Sequence, residues 1–351
     1  MSFALRATAP GKLILAGEYA VVDGGVALSA GVNVRAIAHL SSLAGAYNEL
    51  HIVNSDTTIQ FQCEADGVIQ WRTRPDENTA ILAAVIAALH ALDLWQVPAT
   101  SFRLALDSRK FYHYVDRTGG NAGKQKLGLG SSAAVCVATM GVFLELLNIR
   151  QELPCFLAAH KQLQQGRGSG VDVVTSFNGG VVQYQCEVPD EPVCRQLAWP
   201  AGLHVLPVWT GKSASTIGML ERLANFRQQH TEEYARLMGE LIAAGAYVAA
   251  RWDSGEADAL LAGLQDFAER LQTLDQAAAI GIWSDVHQEL GRIAGEFDAV
   301  YKPSGAGSGD FGLAFSRDQN RLAELGQELS RHDFEVPELD LASAGLEVSL
   351  V

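Results

Sequence analysis

The stretch KLGLGSSAAVCVATMGV, which begins at Lys126, places glycines and two serines directly before an apolar segment of helical spacing. The first turn of a helix has unpaired backbone N–H groups and a partial positive charge, so it favours anions. Glycines allow close approach of the backbone to a ligand and serine hydroxyls add donors, which suits a phosphate. A serine N-cap in a tight turn is the structural alternative, and this stretch alone does not separate the two. It has neither the closing GK[ST] of a Walker A loop nor the GxGxxG spacing of a dinucleotide fold.

Two further small-residue loops and one carboxylate accompany it. APGKLILAGEYAVVDGG, from residue 9, places Lys12 just after a Pro-Gly turn, and PSGAGSGD covers 303–310. Asp172 lies in GSGVDVV, where the small residues before it leave room for a ligand. Each loop alone could be a structural turn. Together and in this order they resemble the motif set of the GHMP kinases, the superfamily of galactokinase, homoserine kinase, mevalonate kinase and phosphomevalonate kinase.

Several stretches are most similar to the phosphomevalonate kinase branch. VWTGKSAST, KPSGAGSGD and AHKQLQQGRGSGVD resemble stretches of those enzymes, with Ser308 in place of a glycine and Arg167 one position closer to the aspartate. Tyr19 stands where mevalonate kinases usually have histidine. Mevalonate kinase is the runner-up, but its magnesium-binding glutamate, eleven positions before the aspartate, corresponds here to Lys161. A lysine cannot bind magnesium.

The resemblance implies ATP-dependent phosphoryl transfer to mevalonate 5-phosphate, with magnesium. Catalytic roles fall to Lys12, which would stabilise the transferred group, and to Asp172, which would orient or deprotonate the acceptor. Ser132 would touch the metal. The ATP-binding residues implied by this resemblance are Lys126, Gly128, Leu129, Gly130, Ser131, Ser132 and Ala133. The implied substrate-binding residues are Lys124, Arg167, Ser169, Gly170, Ser213, Ser215, Gly305, Ala306 and Gly307.

An acceptor with a carboxylate and a phosphate needs cations. Lys124 and Lys126, directly before the phosphate loop, are the first candidates and Arg167 is the next, although a solvated surface charge is the usual fate of such residues. Ser213 and Ser215 could donate to the substrate or cap the following helix. A non-catalytic sensor on the same fold is the alternative of another class, but Lys12, Ser132 and Asp172 are all present.

Composition excludes other classes of function. The net charge of the 351-residue chain is −14, whereas nucleic-acid binding requires a basic surface. No run of about 18 apolar residues predicts a membrane span, and the N-terminus lacks a signal-peptide pattern. The five cysteines are scattered without CxxC spacing, which argues against disulfides and zinc and predicts a cytoplasmic protein. We expect a monomer or homodimer.

The elements that must position these residues alternate irregularly between strands and helices, which predicts an α+β fold. The resemblance implies an N-terminal domain like domain 2 of ribosomal protein S5, over 1–190, and a ferredoxin-like domain over 200–351, with the site between them. Helices are predicted over 78–94, 131–147 and 153–165. AVVDGGVAL predicts strand, turn and strand, and FYHYVDRTGGNAGKQK, from residue 111, predicts a loop.

Overall fold

The structure, a computed structural model, describes residues 2–73, 79–115, 123–166, 168–186, 192–213, 216–342 and 344–351. Most of the first half forms one mixed sheet in the order β10-β9-β2-β6-β3-β4-β5, with β1 and β14 attached through β2 and β1. Its strands, numbered with the others in chain order, are β1 (Ala4–Ala16), β2 (Ala27–Ser42), β3 (Asn48–Ile52), β4 (Thr57–Cys63), β5 (Ile69–Trp71), β6 (Phe102–Asp107), β9 (Val181–Gln185), β10 (Val193–Leu197) and β14 (Glu347–Leu350). The pairing of β3 with β6 is parallel and the other pairings are antiparallel.

Four helices pack in and around this sheet: α1 (Ala80–Ala91), α2 (Ser131–Leu146), α3 (Leu153–Leu163) and α4 (Val171–Asn178). The helix α2 is apolar on all sides and is buried from Ala133 to Leu144, because it contacts β1 and β2 as well as the other three helices. The three predicted helices are confirmed, with ends within three residues of those expected. Burial of α2 on all sides fixes its N-terminus relative to β1.

The second half contains a small antiparallel sheet in the order β11-β13-β12. Its elements are β11 (His204–Trp209), β12 (Val300–Pro303), β13 (Phe311–Ser316), α5 (Thr216–Gln229), α6 (Thr231–Ser254), α7 (Ala257–Ala278), α8 (Asp285–Glu296) and α9 (Gln319–Arg331). Both α8 and α9 contact this sheet, and they share a separate apolar cluster with it. The α+β prediction is confirmed. The last strand, β14, pairs with β1 of the first half. The predicted division of the chain into domains at residues 190–200 does not account for this pairing.

Two local predictions are wrong. Ala20–Asp23 is a short 3-10 helix and not a strand, because the chain already turns at Gly17 (φ 92°) and Tyr19 (φ 61°) and Tyr19 is buried. The predicted loop from residue 111 contains an antiparallel pair, β7 (Tyr112–Val115) with β8 (Gly123–Lys126). Hydrogen bonding between backbones does not require apolar side chains, so the polar sequence concealed this hairpin. No helix among the described residues is long and apolar enough to cross a membrane.

Candidate active site

Lys12 and Asp172 meet at a cavity of ≈ 260 Å³ between the two halves of the chain. Lys12 Nζ lies 3.4 Å from Asp172 Oδ1, and the side chains are 10% and 35% exposed. A shift in the register of β1 between Pro10 and Gly11 comes just before Lys12, whose backbone N–H donates to Leu129 O (2.9 Å). Asp172 lies in the first turn of α4. The structure thus brings the two predicted catalytic residues together.

Gly130 connects this pair to the helix that follows the glycine loop. It precedes α2 with a φ of 75°, a conformation that favours glycine. A Cβ at Gly130 would lie 3.2 Å from Lys12 Cε and 3.4 Å from Asp172 Oδ2. The N-terminus of α2 therefore adjoins the ion pair, and an anion bound to the helix would lie beside Lys12.

A second cavity, of ≈ 440 Å³, opens on the other side of this helix start. Ser131, Ser132, Lys124 and Lys126 line it together with apolar side chains, which suits a nucleotide with a base and phosphates. Lys124 Nζ lies 4.0 Å from the centre of the Tyr112 ring. The structure therefore places Lys124 with the predicted ATP-binding residues and not in the cavity of Lys12. The contact of Lys124 with the acceptor stays a prediction.

The remaining predicted ATP-binding residues form the loop itself. Leu129 and Ala133 are buried, so they can offer backbone groups but little side-chain surface. Gly128 has a φ of 77°, and a Cβ there would lie 2.1 Å from Asp310 Cγ. The loop after β12 thus supports the phosphate loop through Asp310, the last residue of the small-residue loop 303–310.

Apart from Lys124, which lines the second cavity, the predicted substrate-binding residues divide into three groups. Ser169, Gly170, Gly305 and Ala306 line the first cavity. Gly307 instead packs against Ile282, since a Cβ there would lie 2.5 Å from Ile282 Cγ2, and Ser213 is exposed outside both cavities. Arg167 and Ser215 lie outside the described residues. The structure therefore gathers part of the predicted set around Lys12.

Glu18 and Lys302 form a buried ion pair that was not predicted from the sequence. The Lys302 ammonium donates to Glu18 Oε1 and also to Pro303 O (2.7 Å), and both side chains are fully buried. Burial raises the pKa of Glu18 and lowers the pKa of Lys302, and each charge opposes the shift of the other. Glu18 Oε2 has no hydrogen-bond partner among the described residues. The sequence does contain one indication of this pair, because Lys302 lies between the apolar residues VY and the small-residue loop PSGAG.

A second missed residue, His160, is buried on α3 and lines the first cavity. Burial lowers the pKa of its ring, and the nearby Asp172 carboxylate acts in the opposite direction. Tyr19, noted only as a departure from mevalonate kinases, donates its hydroxyl to Ala306 O (2.6 Å) and so fixes the far wall.

Among the described residues there is no group of three or more His, Cys, Asp or Glu side chains that could hold a metal ion. A magnesium ion bound mainly by protein carboxylates therefore does not fit the described part of the site. The exposed Ser132 hydroxyl, on the wall of the second cavity, fits the other arrangement, in which nucleotide phosphates and water supply most ligands.

Comparison with known proteins shows which family this chain resembles. Residues 122–180 match the family model of the GHMP kinases N terminal domain. A phosphomevalonate kinase of Streptomyces sp. (strain CL190) is 28% identical, with 87% of this chain and 88% of the relative covered. A mevalonate kinase of Pyrococcus abyssi is also 28% identical, with 88% of each covered. The resemblance to the GHMP kinases is confirmed, and these relatives are kinases.

The fold agrees with a solved structure. Streptococcus pneumoniae phosphomevalonate kinase in complex with phosphomevalonate and AMPPNP superposes with a TM-score of 0.76 at 20% identity, covering 96% of this chain and 99% of that one. The chain therefore has the two-domain α+β fold of the GHMP kinases.

Proposed function

We propose that this chain, whose fold and family match are those of the GHMP kinases, is an ATP-dependent phosphotransferase that converts mevalonate 5-phosphate to mevalonate 5-diphosphate in isoprenoid biosynthesis. The observation that carries the proposal is the Lys12–Asp172 pair, 3.4 Å apart and beside Gly130, where even a Cβ would meet both side chains. A phosphoryl transfer between two anions requires an ammonium and a carboxylate at the cavity of the acceptor, next to a helix N-terminus that borders the cavity of the nucleotide.

In the proposed reaction an oxygen of the acceptor phosphate forms a bond to the γ-phosphorus of ATP. The bond from that phosphorus to the bridging oxygen breaks, and its electron pair leaves with ADP. The Ser131–Ser132 start of α2 binds the ATP phosphates, and Lys12 offsets the charge that collects on the transferred group. Both reactants are anions, so these positive groups lower the repulsion between them.

Asp172 acts mainly by position in this scheme. The second pKa of a phosphate monoester is about 6, so the acceptor is mostly a dianion near neutral pH and has no proton to lose. The carboxylate holds Lys12 Nζ through the 3.4 Å contact and orients the incoming group. Magnesium, bound with ATP and touched by Ser132, would supply further charge neutralisation.

Mevalonate kinase activity is the second candidate, since relatives of both kinds match at equal identity. Lys161 favours phosphomevalonate kinase, because it stands where the resemblance to mevalonate kinases requires a magnesium-binding glutamate. A non-catalytic sensor on this fold is the third. The assembled Lys12–Asp172 pair argues against it, since a binding protein has no need of the pair.

A coupled ADP-release assay with mevalonate, mevalonate 5-phosphate and mevalonate 5-diphosphate in parallel tests the proposal. We expect turnover with mevalonate 5-phosphate. Turnover with unphosphorylated mevalonate alone would overturn the specific activity but keep the kinase. Absence of ADP release with all three, under conditions where ATP binds, would favour the sensor. Location in the cytoplasm and a monomeric or dimeric state stay predictions.

A further inference from the structure

The first cavity holds few hydrogen-bond donors that are still available. Among the described side chains that line it, Lys12 is paired with Asp172 and the Tyr19 hydroxyl donates to Ala306 O. His160, Gln164 and Ser169 donate to no described residue from their side chains. An acceptor with a second anionic group must satisfy that group from the donors that remain.

His160 is the most deeply buried of these three. It is 5% exposed, and its ring makes no hydrogen bond to any described residue. Neither ring nitrogen is among the described atoms that are fully buried without a partner, so the ring remains accessible to a ligand in the cavity that it lines. A neutral imidazole offers one N–H donor and one acceptor nitrogen.

Gln164 lies one helical turn after His160, and its backbone N–H donates to His160 O (2.9 Å). Residues four apart on a helix lie on one face, so the two side chains point to the same side of α3. A Cβ at Gly168 would lie 2.1 Å from Gln164 Oε1, so the following loop backs this side chain. His160 and Gln164 thus form a supported polar wall.

This wall extends from the catalytic pair into a neighbouring cavity. His160, Gln164 and Ser169 line the first cavity and also an adjoining one of ≈ 210 Å³, whereas Lys12 and Asp172 line only the first of these two. The junction of the two cavities therefore lies where the first cavity continues past Lys12 and Asp172. An acceptor whose reacting end touches Lys12 would extend its other end toward the junction.

We propose that His160, with Gln164 and Ser169, binds the carboxylate of the acceptor at the end remote from phosphoryl transfer. This inference rests on the proposed function, since it takes the acceptor to be a carboxylate of the mevalonate class. The hydrogen bonds from this wall replace water around the carboxylate and set the distance of the reacting end from Lys12.

The test uses the full chain and steady-state kinetics with mevalonate 5-phosphate. His160→Phe keeps the volume but removes both ring nitrogens, and Gln164→Leu removes the amide. We expect each to raise the KM for mevalonate 5-phosphate about tenfold or more, because hydrogen bonds to a charged group contribute about 1.5–3 kcal/mol. The KM for ATP stays unchanged. His160→Gln, which retains a donor, recovers part of the loss.

Two controls separate binding from general damage. Gln162→Leu, an exposed position on the same helix, leaves both KM values unchanged. The second control is an acceptor whose carboxylate is reduced to an alcohol. We expect a high KM for this acceptor with the unsubstituted enzyme, and His160→Phe should raise that KM little further, because the carboxylate that His160 binds is absent. A merely structural role for His160 would raise both KM values, or the KM for both acceptors, by similar factors.

The outcomes are distinct from those of the proposed function. Turnover of mevalonate 5-phosphate with an unchanged KM in His160→Phe overturns this inference and leaves the proposed function intact. If the enzyme uses only mevalonate, the specific activity proposed above is overturned. The wall is then tested with mevalonate, which has the same carboxylate, and the same tenfold rise is expected.

Discussion

Lys302 in β12 and Glu18, just after β1, form an ion pair in which neither side chain is measurably exposed (0% and 1%). Next to it, the Ser304 hydroxyl donates to Ile14 O (2.9 Å) and accepts from Ile14 N–H (3.0 Å). These contacts hold the end of β12 against β1 a few residues from Lys12. The cavity wall formed by Gly305 and Ala306 therefore keeps a fixed position relative to the catalytic lysine.

The first prediction concerns this pair. Lys302→Met leaves Glu18 buried without a counter-charge and is expected to lower the free energy of unfolding by about 3–5 kcal/mol. The double variant Lys302→Met with Glu18→Leu removes both charges and recovers much of that loss. Urea unfolding measures both. Arg317→Met, in an exposed ion pair with Asp258, is the control and changes stability by less than about 1 kcal/mol. A double variant no more stable than the single one would contradict the prediction.

Asp172→Asn is expected to lower kcat at least about 100-fold while ATP affinity changes little. The amide keeps the shape but loses the charge that holds Lys12 Nζ at 3.4 Å. Steady-state kinetics and ATP titration by calorimetry measure the two quantities. An equal loss of turnover and ATP binding would show that the residue is structural.

Lys12→Met is expected to lower kcat about 100- to 1000-fold, because the transferred group loses an ammonium at the point where its charge develops. Lys110→Met, at an exposed position in the same half, provides the matched control and keeps normal turnover. The measurement is single-turnover ADP formation at saturating ATP. A normal rate in Lys12→Met would remove the lysine from the mechanism.

Gly128→Ala tests the contact between the phosphate loop and Asp310. The new methyl group would meet Asp310 Cγ at 2.1 Å, and φ is 77°. We expect a lower melting temperature and a higher KM for ATP. Gly166→Ala is matched, since its φ is 80° but its Cβ would meet nothing within 4 Å. That control isolates the backbone strain, about 1–2 kcal/mol, from the clash. Equal effects of the two substitutions would refute a role for the contact.

His287 predicts a loss of stability in mild acid. Burial lowers its pKa to about 4, while its hydrogen bond to Gly309 O acts in the opposite direction and Lys302 adds to the lowering. The unfolded chain binds a proton near pH 6.5 and the folded one only near pH 4, so stability is complete above pH 6.5 and falls between these values. The expected loss is about 3 kcal/mol.

Urea unfolding at pH 7.5, 6 and 5 measures this slope. His287→Gln removes the titrating ring, so its slope should be shallower than that of the unsubstituted protein, even though it loses the bond to Tyr301 (2.7 Å) and is less stable throughout. Identical slopes would assign the acid sensitivity to other groups.

Sequence patterns predicted much of the local structure and several residues of the site. The long apolar run after the glycine loop located α2 within one residue, because a helix that is buried on all sides is apolar along its whole length. The types and spacing around Lys12, Ser132 and Asp172 indicated a phosphate site. The hairpin β7–β8 left no such trace, since its pairing depends on backbone hydrogen bonds between polar segments.

By itself the sequence determined the three predicted helices of the first half, the α+β class and which residue types could do chemistry. Only the tertiary structure decided which side chains meet. Lys12 and Asp172 are 160 positions apart, and Glu18 and Lys302 pair across 284. From the sequence alone, a lysine can lie on the solvated surface, at a catalytic position or in a buried ion pair. The choice depends on which elements pack around it, and that packing involves contacts far apart in the chain.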